Sequence, residues 1–144
     1  MYTYKYPRPS LTVDISVFKE IENQHELLLI KRKNPPFAGM WALPGGFVDM
    51  DETVETAAKR ELYEETNVSG VDLEQFHVFS EINRDPRGRT VSVVFIGFVK
   101  EQQKVKAKDD AAEASWFKLS KLPQLAFDHA RIIQMIKEKK LKRS

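Results

Sequence analysis

The chain has no cysteine among its 144 residues. That excludes a disulfide framework, thiolate chemistry and a cysteine-bound zinc site. It also lacks any apolar run of membrane-spanning length, and its opening MYTYKYPRPS has no apolar signal-peptide core. These absences imply a cytoplasmic protein with no membrane partner. No internal repeat or low-complexity linker divides the sequence, so one domain with its own core is expected over residues 1–144. Strong charge of either sign is missing too: the net charge is +2, which says little about partners.

What is present centres on Gly45 to Val68, GGFVDMDETVETAAKRELYEETNV. A glycine turn leads through Asp49, Asp51 and Glu52 into a carboxylate-rich helical segment. At about 100° per residue, Val54, Ala57, Ala58, Glu64 and Glu65 all fall within about 60° of Glu61 around the helix axis. Thr56, Lys59, Tyr63 and Thr66 point the other way. The stripe meant for the core is thus apolar at its start and triply acidic at its end. Like charges at such spacings cost a helix a few tenths of a kcal/mol each, and burying them costs far more. Most Glu-rich helix faces are merely solvated, but these acids sit on the apolar side. A divalent cation is the natural compensation, because hard cations favour clustered carboxylate oxygens.

The spacing carries the reading further. Gly46, five residues, Glu52, seven residues, then Arg60-Glu61-Leu62-x-Glu64-Glu65 resembles the Nudix box. Asn67 stands where the box has its last glycine, just past the helix. Asn tolerates the left-handed backbone needed there, so the turn should survive.

Taken in order, Tyr2, Tyr4 and Tyr6 alternate ahead of Pro7 and Pro9, an extended arm over residues 1–9. Leu11, Val13, Ile15 and Val17 alternate with polar residues as a half-buried strand, and Leu27–Ile30 reads as an interior strand. Arg32, just past that strand, is either a solvated flank or a phosphate clamp, and the resemblance favours the clamp. At Gly45-Gly46-Phe47 the backbone can approach a ligand closely, which lets a Gly46 carbonyl reach a metal and brings Phe47 to the substrate. Asp49 or Asp51 should cap the following helix. Arg60, off the acidic face, should pair with Glu52 and tie loop to helix.

Phe76, Val78 and Ile82 continue as a strand, and 91–99 form another. Between them, NRDPRGR suits a hairpin turn, yet carries three arginines in six residues. Guanidinium forks match phosphate oxygens, so Arg87 and Arg89 are candidate diphosphate contacts. Lys104 to Asp110 reads as a solvated loop and Ala112–Phe117 as a strand. Glu113 at its start is either an exposed strand end or a base from outside the box. Asp128 should cap a C-terminal helix over 128–141, with Ile132, Ile133, Met135 and Ile136 inward. His129 in its first turn is a capping neighbour or touches substrate, whereas His25 and His77 look structural or exposed. The basic tail has no interleaved aromatics, which argues against nucleic acid.

The element order implies an α+β fold, an α/β/α sandwich with a mixed β-sheet between helices. The resemblance implies the same Nudix fold over nearly the whole chain. The runs NPPFAGMWALPGGFV, RDPRGR and LAFDHARII are similar to the ADP-ribose pyrophosphatase branch and to the ligand domain of its transcription-regulator relatives. It implies hydrolysis of a nucleoside diphosphate linked to another group, ADP-ribose giving AMP and ribose 5-phosphate. It further implies Mg2+ or Mn2+ on Glu61, Glu64 and Glu65. The base is left open between a box glutamate, Glu61 or Glu64, and Glu113. Alternatives are a nucleoside triphosphate pyrophosphatase and a non-catalytic sensor of ADP-ribose or a sugar. Those regulators carry a further DNA-binding domain, and the chain stopping after one helix weighs against the sensor. The resemblance also implies a homodimer in which a tyrosine or Arg8 of the arm helps hold a neighbour's adenine.

Overall fold

The computed structural model describes residues 2–100 and 111–141. Its strands are β1 (Ser10–Ile21), β2 (Gln24–Arg32), β3 (Trp41–Ala42), β4 (Gly45–Phe47), β5 (Glu74–Phe79), β6 (Thr90–Val99) and β7 (Ala111–Lys118). The helices are α1 (Val54–Thr66), between β4 and β5, and α2 (His129–Lys140), after β7. All seven strands join one mixed sheet, in which β1 runs parallel to β6 and every other pairing is antiparallel.

β1 is the axis of this sheet. One edge pairs with β6 along Ser10 to Lys19, while the other is shared. Phe18–Ile21 pair with β2, and Thr12–Asp14 pair with Gly45–Phe47. β2 meanwhile takes Trp41 and Ala42 beside Lys31 and Ile30, so β1 and β2 splay apart and the 41–47 segment fills the gap. The Ile15 N–H donates to the Pro44 carbonyl at 2.8 Å, which keeps that filler on β1.

Because side chains alternate along a strand, β1 feeds two cores. Val13, Ile15 and Val17 pack with Ala57, Ala58 and Leu62 of α1, whereas Phe18 joins Leu27, Leu29, Ile132, Ile133 and Ile136 on the α2 side. Each large apolar side chain buried there contributes about 1.5–3 kcal/mol. The expectation of a half-buried β1 is therefore corrected: every residue from Thr12 to Lys19 is buried, and the polar face lies under α2. Alternation reported two faces but not that both are covered.

Other boundaries shift for local reasons. α1 is capped by Thr53, whose side-chain oxygen accepts the Thr56 N–H at 3.1 Å, rather than by Asp49 or Asp51. A cap must stand directly before the first helical residue. Thr66 is buried, not outward, because its hydroxyl donates to the Leu62 carbonyl at 2.6 Å and so needs no water. Asn67 does take the left-handed backbone, φ 68°, with its N–H on the Tyr63 carbonyl. Ile82 falls in the turn after β5 and is exposed. Glu113 lies within β7, and the Lys104–Asp110 reading falls outside the described residues. No described helix is long and apolar enough to cross a membrane.

Candidate active site

A cleft of about 390 Å³ opens where β1 and β2 part, lined by β4, the end of α1, the 84–87 turn and the start of α2. Its floor is the glycine pair. A Cβ on Gly45 would lie 2.2 Å from the Val13 carbonyl and 2.7 Å from the Asp14 carboxylate. A Cβ on Gly46 would lie 2.3 Å from a Glu61 carboxylate oxygen. The Gly45 clash is with backbone and leaves no room for a side chain, whereas a side chain at Gly46 would push the Glu61 carboxylate from its place.

The α1 wall is acidic. Glu61 and Glu65 line the cleft, and Glu65 Oε1 accepts the Gly45 N–H at 2.9 Å. Arg60 organises the rest. It grips Glu52 in a two-pronged pair at 2.6 and 3.0 Å, and Nη1 reaches Glu61 and Glu64, each at 3.1 Å. Nη2 also donates to the Phe47 carbonyl at 3.1 Å, so the expected loop-to-helix tie is present. These acids push the Arg60 guanidinium to hold its proton more tightly, the Glu52 bond foremost. Burial pushes the Glu61 carboxyl upward, with Glu64 and Glu52 adding to it and Arg60 opposing. Glu52 moves downward, held by Arg60 and the Asp49 N–H.

The opposite wall pairs each charge. Arg84, with a side chain only 4% exposed, donates to both oxygens of Asp128 at 2.7 and 2.9 Å and lies 3.8 Å from Asp14. This corrects the role expected of Asp128, whose carboxylate makes no capping bond. Asp14 also accepts from the Ser92 hydroxyl at 2.5 Å and faces His129 Nε2 at 3.4 Å. Burial opposes ionisation of Asp14, yet His129, Ser92 and Arg84 together hold its carboxyl below the ordinary range. His129 Nδ1 accepts the Leu43 N–H at 2.9 Å, which leaves the ring proton for Nε2 and Asp14. His129 is therefore a buried connector of β1, the 41–47 segment and α2, and it lines the cleft.

Arg87 is bound by Asp85 through its backbone N–H, Nε and Nη2 at 2.8–3.1 Å. Burial raises the Asp85 carboxyl, but Arg87 and Arg84 outweigh it and hold the group low. The Arg87 guanidinium stands 5.1 Å from the Phe47 ring centre and 5.2 Å from that of Phe127. Arg32 lines the cleft as well, but donates to the Pro36 and Asn34 carbonyls at 2.7 and 3.3 Å and lies over Phe127. It orders the loop after β2.

Gly46, Phe47, Glu61, Glu65, Arg32, Arg87 and His129 thus come together around one cleft. Glu52, Arg60 and Glu64 form the network behind it. Two candidates are not brought in. Arg89 is exposed, and its backbone carbonyl accepts from Ser10. Glu113 is exposed on β7, 3.8 Å from Lys31. Asp14, Arg84, Asp85 and Phe127 are among the lining residues that sequence reasoning missed. An aspartate inside a strand of valine and isoleucine is the one signal that marks Asp14, since strands are depleted in Asp.

Among the described residues, no three acidic or histidine side chains stand close enough to form a metal shell, and Arg60 engages Glu61 and Glu64. The donor set nevertheless suits a hard divalent cation. It is all oxygen, Glu61 resists holding its charge uncompensated, and Gly46 leaves the space its carboxylate occupies.

Residues 11–136 match the family described as NUDIX domain. The chain belongs to the NUDIX family. Nudix hydrolases generally use divalent metal ions. The chain is 49% identical over 129 residues to an ADP-ribose pyrophosphatase of Methanocaldococcus jannaschii, covering 90% of this chain and 73% of that one. It is 38% identical to the ADPR responsive transcriptional repressor NtrR of Acinetobacter baylyi, over 90% of this chain but only 53% of the repressor. In structure it resembles the NUDIX domain of Shewanella oneidensis NrtR complexed with ADP ribose, with TM-score 0.88, 33% identity and coverage of 96% and 93%. A MutT/nudix family protein of Enterococcus faecalis matches at TM-score 0.86 and 35% identity, covering 96% of this chain and 66% of that one.

Proposed function

We propose that this Nudix hydrolase cleaves the diphosphate of ADP-ribose with water, giving AMP and ribose 5-phosphate. The observation that carries the reading is one cleft with the carboxylates of α1 on one wall and Arg84 and Arg87 on the other. A diphosphate between two organic groups needs both walls: charge to bind it and oxygens to hold a cation against it. Glu61, Glu64 and Glu65, with the Gly46 carbonyl, would hold Mg2+ or Mn2+. Such an ion supplies charge neutralisation for the diphosphate and acidifies water. The protein's own part is placement. Arg60 fixes the box carboxylates, the two glycines let substrate reach the β4 backbone, and Asp85 aims Arg87. Removing Glu113 from the cleft leaves the box glutamates as the bases this reading uses.

The similarity to a repressor and to an ADP-ribose-bound domain favours a second reading, a sensor that binds the same ligand intact. One experiment separates them. The purified protein is incubated with ADP-ribose, other nucleoside diphosphate compounds and a nucleoside triphosphate panel, with Mg2+ or Mn2+. AMP and ribose 5-phosphate are expected from ADP-ribose. Binding without cleavage would make it a sensor, and preferential triphosphate cleavage would overturn the substrate.

We also retain a cytoplasmic homodimer through the arm, supported by Tyr2 and Tyr6, which are 65% and 69% exposed. Light scattering of the full chain and of a chain lacking residues 1–8 tests it: a full-length monomer ends the idea.

A further inference from the structure

The 41–47 segment leaves β2 after Ala42 and joins β1 at Gly45, so Leu43 and Pro44 cross the gap between two strands. Backbone in such a crossing has N–H groups that need acceptors from elsewhere, and proline brings none of its own. Side chains from opposite walls of the cleft supply them. The Leu43 N–H donates to His129 Nδ1 at 2.9 Å, and the Gly45 N–H donates to Glu65 Oε1 at 2.9 Å. Asp14 braces both ends of this arrangement. Its Oδ1 faces His129 Nε2 at 3.4 Å and is also an atom that a Cβ on Gly45 would meet, at 2.7 Å. That contact puts the ring proton on Nε2 and leaves Nδ1 as the acceptor. His129 is 3% exposed with both ring nitrogens engaged, and the reaction proposed above gives it no step.

We propose that His129 is a positioning residue for the acidic wall, acting through the glycine floor rather than on substrate. By holding Leu43 it fixes where Gly45 and Gly46 stand. Glu65 accepts from Gly45, and the Glu61 carboxylate fills the space that Gly46 leaves open. Both carboxylates therefore take their places from backbone within three residues of the His129 bond. As Glu65 is drawn toward a cation, its hold on the Gly45 N–H weakens, and the Leu43 bond keeps the floor from following it. Without that bond, one carboxylate serves a shifting backbone and a cation together. Partners that orient ligands in this way are worth about ten- to a hundredfold in metal affinity or activity. This inference rests on the divalent-cation reading above and gives the far wall a part in it.

The test compares His129→Leu, which removes the acceptor, with His129→Asn, whose side-chain oxygen can stand in for Nδ1. Both variants lose the contact with Asp14, so urea denaturation should show similar losses of stability. Mn2+ affinity is measured without substrate by electron paramagnetic resonance, and kcat and KM for ADP-ribose at saturating Mn2+. In His129→Leu, Mn2+ affinity and kcat should each fall about tenfold or more, with KM within about twofold of the parent. His129→Asn should stay within about threefold of the parent in all three. Equal functional losses in the two variants would reduce His129 to scaffolding and overturn the proposal, as would parental Mn2+ affinity in a folded His129→Leu. In the parent, a nitrogen–nitrogen scalar coupling should link the Leu43 amide to His129 Nδ1, both before and after Mg2+ is added. Its absence in either state would overturn the proposal even where neither variant folds. A parent that binds Mn2+ but leaves ADP-ribose uncleaved would overturn the reaction proposed above, and the Mn2+ affinities would still decide the part of His129. A parent that binds no Mn2+ would overturn both.

Discussion

α1 and α2 cover opposite faces of one sheet and are built by opposite rules. α2 buries Ile132, Ile133 and Ile136 and ends in Lys137, Lys139 and Lys140, cations that suit the negative end of a helix dipole. α1 has no basic residue in its last turn and places Glu64 and Glu65 there, with Glu65 buried. It also stacks like charges at neighbouring helical positions. Nothing in α1's own stability rewards this, so the violation marks where the helix serves something other than its fold. α2 contributes to the cleft only at its start, through His129, and there both His129 and the preceding Asp128 are paired within the protein. One wall is finished by the protein, and the other is left to be finished by what it binds.

The largest effect should come from neutralising the unfinished wall. Glu65→Gln keeps an oxygen to accept the Gly45 N–H, so the fold and the floor should stand. Turnover of ADP-ribose at saturating Mg2+ should fall on the order of a hundredfold or more, because cation-derived stabilisation is worth several kcal/mol. Steady-state kinetics with circular dichroism as a fold check would measure it. Turnover at the parent's rate would remove Glu65 from the site.

The second effect is on stability and contrasts the organisers of the two walls. Arg84→Leu leaves the buried Asp14 and the partly buried Asp128 without their shared cation, a defect worth about 3–5 kcal/mol. Arg60→Leu should cost less, because Arg60 is more exposed. Adding Mn2+ should recover part of the loss in Arg60→Leu and none in Arg84→Leu. Urea denaturation with and without Mn2+ reads both, and equal recovery would erase the distinction between the walls.

Much of α1 was legible because its signals are local. The box spacing, the helical stripe and the Asn67 turn all lie within about two dozen residues, where periodicity is a sound guide. The second wall was not, because its partners are distant in sequence: Arg84 meets Asp128 44 residues away, and Asp14 meets Ser92 78 residues away. The arginine-rich turn was suspected as a phosphate contact, and Arg84 and Arg87 do line the cleft, but spacing alone does not say which side chains turn inward. Asp85 turns Arg87 toward Phe47 and Phe127, while Arg89, just before β6, is exposed. Glu113 was not legible for the same reason: register places it opposite Lys31, and it is not among the residues that line the cleft.

The walls should also respond oppositely to pH. Asp14 and Asp85 have lowered carboxyls, so the stability they give is present above the ordinary aspartate range and is lost as pH falls below it. Glu61 has a raised carboxyl, so the folded protein binds its proton more tightly than the unfolded chain does. Its contribution is fully present up to the ordinary glutamate range and is lost as pH rises above that range. Without metal, Glu61→Gln should therefore be more stable than the parent at pH 7, with the gap closing toward pH 4. Thermal melts across that range in a chelator would show it. A gap that does not change with pH would mean that Arg60 compensates Glu61 fully.

The smallest effect concerns the place where α1 departs from the box. Asn67 has φ 68° and ψ 14°, and its N–H closes the helix on the Tyr63 carbonyl. Ala at such an angle costs about 1–2 kcal/mol, whereas Asn is among the side chains that bear it best. Gly would remove the residual strain but lose more freedom on folding, so the two contributions offset each other. Asn67→Gly should therefore change unfolding free energy by less than about 0.5 kcal/mol, and Asn67→Ala should lower it by about 1 kcal/mol. Neither should alter turnover, because the residue is beyond the carboxylates and does not line the cleft. Paired denaturation and kinetic measurements decide it. If Asn67→Gly raised turnover with stability unchanged, the glycine position of the box would bear on the acidic wall, and the turn would belong to the chemistry as much as to the helix.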